Sequence, residues 1–307
     1  MMWLARWRMR LLRDLFGFDD EESFGEVAVH RFFEACVVLW TIEHVARWAE
    51  QLETITRVVR PLGLGHYIDV SPMFGDSPWP EVNALVIACL LLLGFARVSR
   101  FAYAGALLLT HWQYVARWCL GKASHGASFI GLSLMMMALG ALLFHDRKRA
   151  RRTAMGGILF FFGAGYMSAA FSKLIATGPH WIDGYHLWLW IGERSVDMHS
   201  ETGAFNMGLV QSLATRSRAF ATLLLAGGFF AELFAFLLWF RKTRPFVALV
   251  LLGMHFGIGL AMNIVFAYNM ALLAMAAFPW AVLINQTVAR LDSRHAGRLR
   301  ELATRLG

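Results

Sequence analysis

Long stretches of this chain are apolar almost without interruption, and the polar residues gather in the gaps between them. Seven or eight of the stretches reach the roughly 20 residues a helix needs to cross a bilayer. The pattern predicts helices over about 27–48, 82–97, 101–120, 126–144, 154–176, 219–240, 245–263 and 265–284. Two long polar gaps interrupt the series. Residues 49–81 hold Pro61, Pro72, Pro78 and Pro80, and residues 177–218 are rich in Trp, His and acidic residues and are expected to include helices lying at the interface. The expected fold is all-α: a polytopic transmembrane bundle of about eight helices, with both termini cytoplasmic.

The first predicted crossing breaks the pattern. It carries His30, Arg31, Glu34, Glu43 and His44, so one side of it must face the bundle interior or water. Ahead of it, residues 1–26 repeat Trp3, Trp7, Leu11 and Leu15 at helical spacing with arginines between them. That segment reads as an amphipathic helix on the cytoplasmic surface; it lacks the uninterrupted apolar core of a cleavable signal peptide. The acidic run Asp19–Glu22 then makes a polar turn. Residues 27–284 form the transmembrane domain, and 285–307 a basic cytoplasmic tail.

Composition agrees with this class. The chain is 58% hydrophobic and 16% charged, where soluble domains are roughly 45–50% apolar and about 25% charged. Membrane lipids are therefore its expected surroundings. The net charge of +8 does not point to nucleic acid, because the basic residues sit in short clusters between apolar runs. With the N-terminus inside, the N-terminal arginines, Arg97 and Arg100, the 147–152 cluster, 241–244 and the tail all fall in the cytoplasm. The expected location is the cell's inner (plasma) membrane, crossed many times. Cys36, Cys89 and Cys119 form no Cys-x-x-Cys pair and read as small packing residues. Gly253 and Gly257 form a Gly-x-x-x-Gly suited to close helix packing. No phosphate loop, dinucleotide fingerprint, His-Glu-x-x-His or internal repeat is present, and no histidine–carboxylate pair has metal-ligand spacing.

Candidate chemistry centres on Gly163–Gly184. Here an apolar helix carries one lysine, Lys173, near its end, and a Gly178-Pro179 break leads to Trp181, Asp183 and Gly184. Lys173 has two readings: a side chain that snorkels to the interface, or a functional group held in the apolar layer. The topology puts it at the outer leaflet, with Tyr166 and Ala170 on its face. His125, Glu43, His44, Asn263, Tyr268 and Asn269 fall on the same side; His111, Glu232 and His255 lie nearer mid-depth. A polar pocket open to the outer leaflet is the expectation.

The same residues resemble a known family. Tyr166, then Ala169-Ala170-Phe171-Ser172-Lys173-Leu174, then Trp181-Ile182-Asp183-Gly184-Tyr185, is similar to the pattern of the vitamin K-dependent gamma-carboxylases and the bacterial horizontally transferred transmembrane (HTTM) domains. Ala28-Val29-His30-Arg31-Phe32-Phe33, Leu92–Arg97, Ser124-His125, His255 and Phe266…Pro279 resemble further motifs in the family's order, so the likeness covers nearly the whole chain. It implies Lys173 as the active-site base, with His125 as a second catalytic residue. Tyr166, Ser172, Trp181, Asp183, His255, Asn263, Glu43 and His44 would line the substrate or quinone pocket. The implied cofactor is a reduced lipid quinone of vitamin K or menaquinone type, with oxygen as co-substrate and carbon dioxide where carboxylation is retained. The base must be a neutral amine, and Phe161, Phe162 and Phe171 are expected to supply its apolar surroundings.

Two departures bear on this. The family's histidine-rich connection between the fourth and fifth helices is short here, with His145 opening a basic cluster, and that family histidine is not carried over. The family's large extracytoplasmic domain is also not expected within a sequence that reaches Gly307 soon after the eighth predicted helix. A separate peptide or soluble protein partner follows from that. The second reading of the likeness is a non-enzymatic accessory protein for maturation or export of a secreted peptide.

Overall fold

The computed structural model describes residues 2–54, 61–120 and 128–290, and among these every regular element is helical. The helices are α1 (Met2–Leu15), α2 (Phe24–Glu53), α3 (Trp79–Phe95), α4 (Ala102–Trp118), α5 (Ser128–Leu143) and α6 (Arg147–Thr177), followed by α7 (Gly184–Thr202), α8 (Leu209–Arg216), α9 (Arg218–Leu233), α10 (Arg244–Met262), α11 (Ala267–Ala277) and α12 (Trp280–Arg290). The chain divides into two compact units, one of Phe16–Ile158 with Pro279–Gly307, the other of Met1–Leu15 with Leu159–Phe278.

In the Phe16–Ile158 unit, α2 is the axis, packed on α3, α4, α5 and α12. It starts at a capping box: the Ser23 hydroxyl accepts from the Glu26 N–H, and the Glu26 carboxylate accepts from the Ser23 N–H. Gly25 lets α12 approach, since a Cβ there would lie 2.2 Å from the Ala281 carbonyl oxygen. The fully buried Gln113 of α4 ties three helices, donating to the Val45 carbonyl (2.8 Å) and accepting from Asn83 of α3 (2.9 Å).

Three departures from the expected helices have a clear physical reason. First, α6 begins at Arg147, so the basic cluster placed between helices lies inside one. Arg, Lys and Ala are strong helix formers. Asp146 accepts from the Lys148 N–H at 3.0 Å, and Arg151 forms a two-point pair with Glu22 of the preceding acidic turn. Second, the predicted 219–240 helix stops at Leu233, and a 3-10 turn, Ala235–Trp239, follows. That change accompanies docking of Trp239 against Gly163, with its indole N–H donating to the Phe160 carbonyl at 3.2 Å. Third, the predicted 265–284 helix is two, because Pro279 has no N–H to donate and pushes Phe278 into extended backbone (φ −86°, ψ 153°).

Among the described residues, two helical segments are long and apolar enough to cross a membrane: Arg147–Ile182 and Arg244–Met262. The bent pair Ala267–Ala277 and Trp280–Arg290 adds a third if it is one span; α3 and α5 are apolar but shorter, at 17 and 16 residues.

Candidate functional site

The site belongs to the Leu159–Phe278 unit and is built from the Trp181–Gly184 turn. Helix α6 ends at Thr177 because Gly178 takes a left-handed φ of 63° and Pro179 cannot continue the ladder. The 3-10 turn Gly178–Ile182 that follows carries Trp181. Asp183 then caps α7, accepting from the Tyr185 N–H at 3.0 Å, and takes two bonds from Arg218 at the head of α9, at 2.9 and 2.5 Å. The Arg218 guanidinium and the Tyr185 N–H hold the Asp183 carboxyl down to about 2. Gly184 is required by the same junction. A Cβ would lie 2.3 Å from the Arg218 carbonyl oxygen, and its N–H donates to the Thr222 hydroxyl at 2.9 Å. The Trp-Ile-Asp-Gly segment thus fastens the end of α6 to the first turns of α9.

That junction sets what the far end of α9 meets. Lys173 of α6 donates to the Glu232 carboxylate, and their side chains are 24% and 10% exposed. The ammonium also lies 4.4 Å from the centroid of the Trp181 ring. Trp181 is itself held between Trp190 (5.6 Å) and Phe229 (6.2 Å). Lys173 and Glu232 are the two charged residues on the wall of a cavity of about 530 Å³, otherwise lined by groups such as Trp190, Leu224, Met254, Ile258 and Phe266. Gly227, Gly253 and Gly257 shape it: a Cβ at any of them would meet nothing within 4 Å. The Gly253–Gly257 pair, expected to bring helices together, instead lines open space.

Tyr166 and His255 form a second buried pair in this unit. The tyrosine hydroxyl and Nε2 are 2.5 Å apart, the residues are 7% and 6% exposed, and the His255 ring packs on Phe266 of the cavity wall at 5.1 Å.

The structure sorts the remaining candidates. Ser172 is exposed and donates to the Ser168 carbonyl at 2.9 Å within its own helix. Asn263 closes α10 in left-handed backbone (φ 54°) and donates to the Met198 sulfur at 3.0 Å. Neither residue lines the cavity, nor does Asp183. Glu43 and His44 lie on α2 in the other unit, where Glu43 pairs with Arg47 (2.7 Å) and the His44 Nδ1–H donates to the Trp40 carbonyl (2.7 Å). His125 lies outside the described residues. Of the three phenylalanines expected around the lysine, Phe162 is fully buried and stacks on Tyr166, whereas Phe171 is 48% exposed.

Sequence reasoning placed Glu232 at mid-depth but did not pair it with Lys173. A usable signal existed: each is the one charged residue in its apolar run, and isolated intramembrane charges seek one another.

No family model matches the chain, and neither a curated protein nor a solved structure matches it significantly. The likeness to the carboxylases therefore stands on the quoted motifs alone.

Chemically, the site joins a lysine amine to a carboxylate on an apolar cavity wall, and a hydrogen bond between such groups is a path for proton exchange. An arginine could not make that exchange, because guanidinium keeps its proton.

Proposed function

We propose that this chain is an integral membrane enzyme of about eight crossings, in which Lys173 acts as a base toward a reduced lipid quinone with oxygen as co-substrate. One observation carries the proposal: a single lysine–carboxylate pair on the wall of an otherwise uncharged cavity of about 530 Å³. Small-molecule sites are typically about 300–1,000 Å³, mostly apolar, with a few converging polar groups. The lining suits a ring with an apolar tail and one reactive phenol. When bound, such a quinol supplies electrons for oxygen and an acidic phenolic proton.

In this reading the residues divide the work. Glu232 holds the proton that Lys173 gives up, leaving a neutral amine at the cavity wall. Lys173 Nζ takes the phenolic proton. Trp181 shields the amine from water on one face, and the Asp183–Arg218 and Gly184 contacts keep Trp181 in place. In the eight-crossing arrangement the spans are α2, α3, α4, α5, α6, α9 with its 3-10 turn, α10 and the α11–α12 pair, and the site opens to the extracytoplasmic leaflet. At 1.5 Å per residue α3 and α5 span roughly 24–26 Å, and local thinning of a hydrocarbon layer of about 30 Å takes up the difference. A separate peptide or soluble protein would be the substrate modified downstream, with carbon dioxide where the modification is a carboxylation.

The test is oxygen-dependent quinol consumption by the purified full chain in nanodiscs, across a panel of reduced naphthoquinones and benzoquinones. Wild type should consume at least one of them. Lys173→Arg should lose about 10²-fold or more, and Lys173→Ala should recover in part with small added amines or at raised pH. No consumption of any quinol, or full activity in a folded Lys173→Arg protein, would overturn the proposal. A co-purifying secreted peptide without turnover would favour the accessory reading instead.

A further inference from the structure

The Phe16–Ile158 unit contains a second cavity, of about 270 Å³, with different chemistry. Its wall carries Arg97, Arg100, Arg147 and Arg151 together with His30 and His145, against one carboxylate, Glu34. Glu34 is already engaged: Oε1 accepts from the Tyr103 hydroxyl at 2.5 Å and Oε2 from Arg31 at 2.6 Å. The basic side chains of this wall thus outnumber its one carboxylate.

Two buried polar atoms point to a missing partner. Arg151 is 8% exposed; its Nε and Nη2 are taken by Glu22, but Nη1 is buried without a hydrogen-bond partner. A guanidinium N–H can only donate, so this one needs an acceptor. His30 is 6% exposed and its Nδ1 is also unpartnered, with Glu34 Oε2 at 3.9 Å, beyond hydrogen-bond reach. Arg100 sits on the His145 ring (2.9 and 3.2 Å) and over the Phe101 ring (4.9 Å), contacts that leave its charge uncompensated. Arg97 is held in left-handed backbone, φ 61°, where glycine would be unstrained. Burial, then the charge of Arg31 and, more weakly, those of Arg147 and Arg151, push the Arg97 guanidinium below its ordinary value, with Glu34 acting in the opposite direction. Basic groups are thus crowded on one wall, and two of them, Arg151 and His30, each keep a buried nitrogen without a hydrogen-bond partner.

We propose that this cavity binds a phosphate-bearing anion, either the headgroup of an anionic phospholipid or a soluble phosphate. Guanidinium forks match phosphate oxygens two at a time, and a tetrahedral anion can accept from several arginines at once. The Ser99 hydroxyl on the same wall adds a neutral donor. No atom of this site belongs to the Lys173 cavity.

Native mass spectrometry of the full chain in detergent tests the proposal, with phosphatidylglycerol, phosphatidylcholine and inorganic phosphate as separate probes and thermal unfolding read in parallel. Phosphatidylglycerol retained over phosphatidylcholine and not displaced by phosphate identifies a headgroup site. Phosphate that binds alone, or displaces the lipid, identifies a soluble ligand. Either outcome should raise the melting temperature. Arg100→Gln, an exposed change that gives up a hydrogen bond to the exposed His145 ring and a contact with the Phe101 ring, should keep the fold and weaken binding by about tenfold. Arg151→Gln should weaken it further. Equal retention of both lipids with no effect of phosphate, or wild-type binding by Arg100→Gln, would overturn the site.

Discussion

Glu34 and Glu232 are carboxylates of similar burial, 5% and 8% exposed, each on a helix within its own compact unit. Their partners differ in kind. Glu34 is bonded through both oxygens, to a tyrosine and to an arginine that cannot release its proton; Arg31 is in turn fixed by the Phe95 carbonyl (3.1 Å) and ring (4.0 Å). Among the described residues Glu232 is bonded to Lys173, a group that can release its proton, and the two share the wall of an apolar cavity. A saturated ionic network holds helices together. The role proposed for Lys173 needs the other kind, a partner able to take up its proton beside a cavity. Burial alone does not distinguish the two carboxylates; the chemistry of the partner and the adjoining cavity do.

The sharpest way to break this comparison is to empty each site. Glu34→Ala strands the Arg31 cation among α2 and α3 groups and should lower stability by about 3–5 kcal/mol, measured by reversible denaturation in mixed micelles. Replacing the other pair together, Lys173→Met with Glu232→Leu, should leave stability unchanged or raise it by about 1–4 kcal/mol, because both charges leave at once. Equal losses at the two sites would mean that the Lys173 pair is also a structural clamp.

A smaller effect separates glycines that pack from glycines that make room. Gly253→Ala and Gly257→Ala add methyl groups to open cavity space and should stabilise α10 by about 0.5–1 kcal/mol each, while Gly257→Leu should block binding of a quinone analogue. Gly184→Ala would instead drive a Cβ to 2.3 Å from the Arg218 carbonyl oxygen and should destabilise. Unchanged quinone affinity in a folded Gly257→Leu protein would remove the cavity from the binding reading.

The smallest effect is the pH response of the junction. The Asp183 pKa is lowered from 3.8 to about 2 in the fold, so its stabilisation is fully present above about pH 4 and is lost as pH falls through about 2. Asp183→Asn should flatten that part of the melting-temperature profile and leave the profile near neutrality parallel to wild type. A profile identical to wild type between about pH 4 and 2 would show that the Arg218 pair does not contribute.

Much of the architecture was legible in the chain because its signals are local. Apolar run lengths, the Gly178-Pro179 stop and the polar side of α2 all announce themselves within a few residues. Pro279 was equally local, and the helix read through it should have been divided there. The 147–152 cluster misled because like charges read as a loop; its helix depends on Glu22, 129 residues from Arg151. Asp183 was expected in the pocket from the family resemblance and Asn263 from that and its outer-side position, yet both cap helix ends, a role that short polar side chains share with ligand binding.

By itself the sequence determined that the chain is helical and apolar, where most helices start and stop, and that Lys173 is exceptional. Those properties depend on hydrophobic periodicity, backbone conformation and the cost of one charge, all of which act within a turn or two. Only tertiary structure decided that Lys173 meets Glu232, 59 residues away, that Trp181 covers the amine, and that Gly253 and Gly257 face open space. A glycine has the same composition whether a neighbour touches it or not, and a carboxylate has the same spacing along the chain whichever cation it finds. Packing settles both, because it fixes which helix faces meet and where a void remains between them.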